Sequence, residues 1–410
     1  MNANVYANRS IFEVISTLAH KYQATDLSKG FPDFDCDISI KEIAKKSIEY
    51  GNHQYTSVDG DLSLRNKLSQ IYLDDYGIAY DASAEITVTC GAQEGLFCAV
   101  KALVSPGDEV IIFEPFYPFY LQAIEVAGGV PVFIELKGDN FEFSQADLIK
   151  SISVKTKLII LNSPHNPTGK VFSLKELTAI STIAIKHDLL IMSDEVYEHF
   201  LYDETRHIPI ATLEGMRERT ITVSTLGKTF CITGWKIGWV CAGKNLTSLI
   251  RNKRKESNGS FAAPLQAAAT HILDLLADKT YLQDLKCKFK SKRNYVLNKL
   301  RELNLRPFVP SGAFFIVCDI SSIKNPNDLL FCVNLIEEHG LALIPLSGFY
   351  CDKNKKNHLV RFCFAKKEET LVSAMAKLEK AINIINSPFE PHLIKSNVCP
   401  HELLARAGQL

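Results

Sequence analysis

Lys228 is the residue of this chain whose type and setting most directly suggest covalent chemistry. It follows an apolar, strand-like run and is framed by small and hydroxyl residues in the segment STLGKTF, residues 224–230. A lysine amine can form a Schiff base with a carbonyl group. A lysine at the end of a strand can also be a solvated surface residue, so Lys228 taken alone leaves both interpretations open.

Two other segments place polar groups after predicted strands. Asp194 ends an apolar run, where a buried carboxylate needs a cationic or hydrogen-bonding partner; a helix N-cap is the other interpretation. Gly91, Ala92 and Gln93 lie between a predicted strand and a helical pattern. Free N–H groups at such a helix N-terminus can bind a phosphate, but an ordinary glycine-containing turn has the same pattern.

Arg361 and Tyr117 lie in apolar surroundings. Arg361 follows Val360 and precedes Phe362 in a strand-like run, and an arginine with apolar neighbours needs an anionic partner. Tyr117 belongs to an aromatic segment, residues 116–120, so it is either a ring that stacks on a flat ligand or a core aromatic.

The elements that must position these residues alternate between short apolar runs and longer helical patterns. The runs are apolar throughout, which is typical of parallel strands covered by helices on both faces. Ligands bind beyond the carboxyl ends of such strands, and we expect the candidate motifs all to follow strand ends. The predicted strands of this sheet are residues 86–89, 110–113, 158–161, 189–192 and 220–223.

The second part of the chain predicts a smaller α+β domain. A charge-rich helical stretch, residues 273–305, is followed by a strand near 313–317, a helix near 328–339 and strands at 341–345 and 359–364. We expect the N-terminal segment to complete this domain. The predicted divisions are 1–45 for an N-terminal arm and part of the small domain, 46–285 for the large domain, 286–387 for the small C-terminal domain and 388–410 for a tail.

Composition restricts the possible partners and location. The 410 residues contain 46 Lys and Arg against 46 Asp and Glu, so no global charge favours nucleic acid or an anionic membrane surface. Eleven cysteines are scattered singly, without a Cys-x-x-Cys pair or zinc-ligand spacing, which predicts a reduced compartment and no metal. Without a signal-like N-terminus or an apolar stretch of ~20 residues, we expect a soluble, cytoplasmic protein.

The motifs together resemble the pyridoxal-phosphate-dependent aminotransferases of fold type I, class I/II. The resemblance is carried by residues 162–169 (NSPHNPTG), 193–197 (SDEVY), 224–230 and 234–238 (GWKIG), and it extends from Ile11 to Lys366. It implies an α/β fold with a mostly parallel, helix-covered sheet in the large domain and a smaller α+β domain. It also implies pyridoxal 5'-phosphate as the cofactor.

The resemblance assigns roles around that cofactor. Lys228 would hold its aldehyde as a Schiff base and move the substrate Cα proton, and Asp194 would bind the pyridinium nitrogen. Asn166 and Tyr197 would bind the phenolic oxygen. The other implied contacts are Tyr117 on the ring face, Ala92, Gln93, Thr225 and Lys236 at the phosphate, and Tyr55 from a neighbouring subunit at the same phosphate. At Lys236 the family often has arginine, whose bidentate fork a lysine lacks.

The implied substrates are an amino acid and a 2-oxo acid, exchanged by a ping-pong mechanism in a homodimer with shared active sites. Arg361 would bind the α-carboxylate, and Asn166 and Gly30 would line the substrate site. Segments that border the substrate in relatives contribute aromatic residues here, and no second arginine for a distal carboxylate is evident. These aromatic residues are Phe12, Phe31, Tyr117 and Phe349.

Within the family, the chain resembles the methionine and kynurenine aminotransferase branch. Residues 163–167 and 344–347 look closer to bacterial methionine aminotransferases, and Ala262 stands where many kynurenine aminotransferases have histidine. Kynurenine–oxoglutarate transaminase, a cysteine-S-conjugate or cystathionine β-lyase and an aminocyclopropane carboxylate synthase remain alternatives. An effector-binding domain of a transcription regulator is disfavoured, because the segment before Gly30 is too short for a DNA-binding domain.

Overall fold

The computed structural model describes residues 10–257, 259–324, 326–352 and 358–387. The predicted tail, 388–410, lies outside these residues. The strands in chain order are β1 (Thr25–Asp26), β2 (Ile86–Cys90), β3 (Glu109–Glu114), β4 (Val130–Glu135), β5 (Thr156–Asn162), β6 (Leu190–Asp194), β7 (Thr220–Thr225), β8 (Ile237–Ala242), β9 (Arg306–Pro307), β10 (Phe315–Asp319), β11 (Leu341–Ala342), β12 (Ile344–Pro345) and β13 (Leu359–Cys363).

The helices separate these strands and cover them. They are α1 (Ile11–Lys21), α2 (Ile38–Tyr50), α3 (Leu62–Tyr76), α4 (Gly91–Leu103), α5 (Phe119–Ala127), α6 (Gln145–Lys150), α7 (Leu174–Lys186), α8 (Leu226–Thr229), α9 (Lys244–Ser257), α10 (Ala263–Ile272), α11 (Asp274–Ala277), α12 (Lys279–Glu302), α13 (Asp328–His339) and α14 (Glu368–Ile385).

Seven strands form the large sheet in the order β2-β8-β7-β6-β5-β3-β4. The pairs from β4 to β7 are parallel, and β8 is antiparallel to both of its neighbours. Successive residues of β5 enter different hydrophobic cores: Ile159 packs in one and Ile160 in the other. Both faces of the sheet are therefore buried, which is why β5 contains the unbroken apolar run 158–161.

The predicted α/β fold and its five strands are confirmed, but β4 and β8 were not predicted. The antiparallel direction of β8 matters for the site, because this strand begins at the edge of the sheet where β7 ends. Thr225 at the end of β7 pairs with Gly238 near the start of β8. The expectation that all motifs follow strand ends is therefore wrong for Lys236, which precedes a strand but reaches the same edge.

The small sheet has four antiparallel strands in the order β12-β13-β10-β9. The N-terminal segment joins this region, because β1 pairs in parallel with β11 and α1 buries Val14, Ile15 and Leu18 in the adjoining core. Helix α1 starts at a capping box in which Ser10 and Glu13 bind each other's backbone N–H groups. The domain limits at residues 45, 285 and 387 stay predictions.

Two further properties concern the described part of the chain. None of its helices has both the length and the apolar character that crossing a bilayer requires. The ten cysteines that it contains are all free thiols.

Candidate active site

A cavity of about 380 Å³ opens at the edge of the large sheet where β6 and β7 end. Residues of the N-terminal segment, the large sheet and the small sheet all contribute to its wall. The predicted residues that line it are Phe12, Gly30, Phe31, Ala92, Gln93, Tyr117, Asn166, Asp194, Tyr197, Thr225, Lys228, Lys236 and Arg361. The sequence-predicted chemical groups are thus brought together, with two exceptions, Phe349 and Tyr55.

Lys228 lies in the short helix α8, which Thr225 caps by accepting a hydrogen bond from the Gly227 amide. Its Nζ atom donates to the carbonyl oxygen of Gly30 at 3.0 Å and lies 5.5 Å from the centre of the Tyr197 ring. Burial lowers the pKa of Lys228 to about 8, because a low-dielectric site disfavours the ammonium. Part of the Lys228 amine is therefore neutral near pH 7 and can accept a proton.

Asp194 ends β6 and is 4% exposed. Its Oδ2 atom accepts from the Tyr120 hydroxyl at 2.5 Å, and Oδ1 accepts from the Val196 amide at 3.4 Å. Both donors are neutral, and burial raises the pKa of Asp194 to about 6 even though the Tyr120 hydrogen bond opposes the rise. A cationic partner in the cavity would therefore stabilise this carboxylate.

Arg361 lies in the middle of β13 and is 2% exposed. Its Nη1 donates to Oδ1 of Asn166 at 2.8 Å and its Nη2 to the carbonyl of Ser28 at 2.7 Å. The Phe315 ring lies 4.2 Å from the guanidinium carbon. These partners are neutral and its Nε has none. Burial lowers the pKa of Arg361 to about 10, so it stays charged and is suited to an anionic ligand.

Phe349 does not line the cavity, and its assignment as a residue that borders the substrate stays a prediction. Its side chain is fully buried, packs edge-on against Phe12 at 5.1 Å and lies 5.0 Å from the guanidinium carbon of Arg361. Phe349 supports the two residues that reach the cavity. The sequence showed an aromatic residue near the site but not the direction in which its ring points.

A site suited to an anion lies at the start of α4. We call it the anion cradle, and it consists of the first N–H groups of α4 and the ammonium of Lys236. Gly91 has a φ of +72°, and a Cβ there would lie 3.1 Å from Cε of Lys236. A Cβ on Gly238 would lie 2.6 Å from the carbonyl carbon of Gly91, so the two glycines let β8 approach the helix N-terminus. The free N–H groups of that terminus and the Lys236 ammonium are suited to a phosphate. Lys236 Nζ also donates to Oε1 of Gln93 at 3.3 Å.

Two polar side chains beside the anion cradle already have hydrogen-bond partners within the protein. The Tyr117 hydroxyl accepts from Nε2 of Gln93 at 2.9 Å, which fixes the Tyr117 ring at the cavity wall. The Thr225 hydroxyl, predicted to contact phosphate, donates to the carbonyl of Ile237 at 2.7 Å. In this structure its proton is therefore directed away from a phosphate.

Asn162 was not predicted as a site residue and joins two predicted residues. Its Oδ1 accepts from the Asn166 amide at 2.7 Å and its Nδ2 donates to the Asp194 carbonyl at 2.9 Å. Since Arg361 occupies the side-chain oxygen of Asn166, the group that Asn166 can offer a ligand is its Nδ2 donor. Asn162 lines the cavity at the end of β5, and its place at a strand end was the available indication.

A buried polar network lies beside the cavity. Glu195 accepts from Ser193 at 2.7 Å and contacts His207 at 2.8 Å, and Glu198 accepts from Ser224 at 2.7 Å. Glu195, Glu198 and His207 offer ligand atoms within 4.8 Å of one another. Because the carboxylates are bound by protein donors, we interpret the group as a structural network that fixes the loop after β6.

Tyr55 is the second predicted residue that does not line the cavity. It is 90% exposed and lies outside the cavity wall. Its assignment to the neighbouring subunit's phosphate stays a prediction.

The fold and the cavity define the class to which this protein belongs, the fold type I aminotransferases. Residues 22–378 match the model of the family described as aminotransferase class I and II. The chain belongs to that family, and it is an aminotransferase.

Three relatives show how close the similarity is. The chain is 38% identical to a kynurenine–oxoglutarate transaminase of Dictyostelium discoideum, over 90% of this chain and 94% of the relative. It is 36% identical to methionine aminotransferase of Escherichia coli K12, over 90% and 95%. The solved N-succinyldiaminopimelate aminotransferase of Mycobacterium tuberculosis superposes with a TM-score of 0.88 and 35% identity, over 93% and 99%.

Proposed function

We propose that this enzyme moves the amino group of methionine or an aromatic amino acid to a 2-oxo acid, with pyridoxal phosphate as its cofactor. The main observation behind this proposal is that the amine of Lys228, the carboxylate of Asp194 and the guanidinium of Arg361 line one cavity. Relatives named for methionine and for kynurenine support this substrate class. In this proposal the enzyme is a homodimer whose Tyr55 completes the partner's site.

The residues of the cavity fit pyridoxal phosphate, which class I and II aminotransferases generally use. Asp194 would hold the ring nitrogen, because a cation there offsets the burial that raises the carboxylate pKa. The α4 N-terminus and Lys236 would hold the phosphate, and Asn166 and Tyr197 would hold the phenolic oxygen. When bound, the cofactor withdraws electrons from the substrate Cα, so that its proton can leave.

Lys228 is the base that takes this proton. Its pKa of about 8 keeps part of the amine neutral at physiological pH, and the protonated amine can then return the proton as a general acid. Arg361 orients the substrate by binding its α-carboxylate through two N–H groups. The buried aromatic residues around the guanidinium exclude water, which strengthens this ion pair.

Arg361→Lys is expected to raise KM for amino acid donors about tenfold or more and to lower kcat less. An ammonium supplies one point charge in place of a bidentate fork, so carboxylate binding and orientation weaken. Steady-state kinetics with varied donor and saturating oxo acid measure both constants. Equal KM values in wild type and variant would remove Arg361 from the substrate site.

Methionine is expected to exceed aspartate as donor by at least about a hundredfold in kcat/KM. Phe12, Phe31 and Tyr117 line the cavity, and the ammonium of Lys29 at its wall is paired with Asp26 at 3.4 Å. An apolar side chain gains about 0.8 kcal/mol per buried methylene, whereas a second carboxylate without a free cation costs several kcal/mol.

The measurement is the ratio of the two specificity constants with one fixed oxo-acid acceptor. A ratio at or below one would contradict the proposal and indicate an aspartate-type enzyme. An assay with cystathionine distinguishes a β-lyase from an aminotransferase. Elimination from cystathionine releases pyruvate and a thiol, whereas transamination of methionine yields its oxo acid. A screen that includes phenylalanine, tyrosine and kynurenine then ranks the aromatic donors.

A further inference from the structure

A buried lysine is one of the residues that bind the segment carrying Gly30 and Phe31 to the small domain. Nζ of Lys366 donates to the carbonyl oxygen of Phe31 at 2.9 Å and lies 5.3 Å from the centre of the Phe31 ring. Lys366 is 2% exposed, whereas Phe31 is 43% exposed and lines the cavity. A buried ammonium therefore holds both the backbone and the ring of a residue that has little packing of its own.

The contact between Lys366 and Phe31 lowers the free energy of unfolding relative to an apolar contact. The two partners of the Lys366 ammonium, a carbonyl oxygen and an aromatic face, are neutral, and a buried charge without an opposite charge is costly. A cation–π contact offsets only part of that cost. An apolar residue of the same length would fill the space at less cost, which indicates that the contact serves the site more than the fold.

Other contacts hold the residues on either side of Phe31 without the Lys366 side chain. The carbonyl of Gly30, one residue before Phe31, accepts from Nζ of Lys228 at 3.0 Å. A Cβ on Gly30 would lie 3.1 Å from the Phe315 ring, so the backbone is already pressed against the small sheet. Asp33 accepts from the Lys367 amide at 2.6 Å, which fixes the far end of the same segment.

We propose that Lys366 is a specificity-determining positioning residue, which fixes Phe31 as the wall against which the side chain of the amino donor packs. This inference rests on the proposed preference for apolar donors. Lys366 does not line the cavity, so its effect passes through Phe31. Donors with long or aromatic side chains should depend on Lys366, whereas alanine, which has only a methyl group to place, should not.

Lys366→Met is the test, because methionine keeps the apolar stem and removes the donor and the charge. We expect kcat/KM to fall about tenfold for methionine and phenylalanine, mainly through KM, and to change less than about threefold for alanine. Lys366→Arg keeps a cationic donor and should restore the preference to within about threefold of wild type. The thermal midpoint of Lys366→Met should equal or exceed that of wild type.

Lys377→Met is the matched control. Lys377 also ties the N-terminal segment to the small domain, through Oγ1 of Thr25 at 2.7 Å and the carbonyl of Gly340 at 3.0 Å, but neither of these partners lines the cavity, whereas Phe31 does. We expect this variant to lose stability without changing the ratio of methionine to alanine. An equal loss for all three donors in Lys366→Met, or an unchanged ratio, would overturn the inference.

Phe31→Ala keeps the inference testable if Lys366→Met folds poorly, because it should reproduce the selectivity loss, and an unchanged ratio of methionine to alanine in this variant would overturn the inference. Where both variants fold, adding Lys366→Met to Phe31→Ala should cause little further loss of selectivity. Additive effects would mean that Lys366 acts independently of Phe31, which contradicts the proposed role. A wild-type enzyme that does not prefer methionine over alanine would instead contradict the proposed function.

Discussion

Lys228→Ala is expected to lower the rate of transamination by more than about a thousandfold. Positioned proton transfer alone contributes about 10²–10⁴ to a rate, and in our proposal the same amine also binds the cofactor covalently. Neighbouring side chains should not replace the Lys228 amine. Lys236 is hydrogen-bonded to Gln93 at the anion cradle, and Arg361 stays protonated. The measurement is the single-turnover rate of 2-oxo acid formation from methionine.

Lys244→Ala is the control, since Lys244 is an exposed lysine at the start of α9 and should leave the rate unchanged. Purified wild type should absorb in the visible range and appear yellow, and borohydride reduction should attach the cofactor covalently to the wild-type chain but not to Lys228→Ala. A Lys228→Ala enzyme with appreciable turnover would refute the assignment of the base.

The strands were predictable where burial on both faces produced an unbroken apolar run. β3 and β5 are of this kind. β4 was missed because Pro131 and partly exposed positions interrupt its pattern, which an edge strand tolerates. β8 was missed because Gly238 made its start resemble a turn. That glycine is required because a Cβ would meet the backbone of α4, a long-range reason that local sequence does not contain.

Site residues that belong to a recognisable motif could be predicted from the sequence. Residues without such a motif could not. Tyr120 is one of several aromatic residues in its segment, and only the fold brings its hydroxyl to Asp194, 74 residues away in the chain. Lys366 lies two residues beyond the predicted strand 359–364, without any indication that its ammonium meets Phe31. Such contacts follow from how the two domains pack, which sequence periodicity does not specify.

Mixing Tyr55→Ala and Lys228→Ala chains is expected to restore activity that neither variant has alone. In our proposal Tyr55 serves the partner's phosphate site, consistent with its 90% exposure in the single chain. Random exchange of chains gives about half mixed dimers, each with one intact site, so about a quarter of wild-type activity should return. The assay uses limiting pyridoxal phosphate, at which the Tyr55→Ala enzyme alone stays unloaded.

Subunit exchange must be verified independently, by mass or by two affinity tags, because unexchanged homodimers would be inactive for a trivial reason. The control mixture pairs Lys228→Ala with Arg361→Ala: the latter chain keeps Lys228 but lacks the arginine beside it, and both residues line the same cavity of one chain. That mixture should stay inactive, since each mixed dimer has two defective sites. Persistent inactivity of the Tyr55→Ala mixture after confirmed exchange would mean that each site is built from one chain, because a residue supplied by the partner must be restorable by the partner.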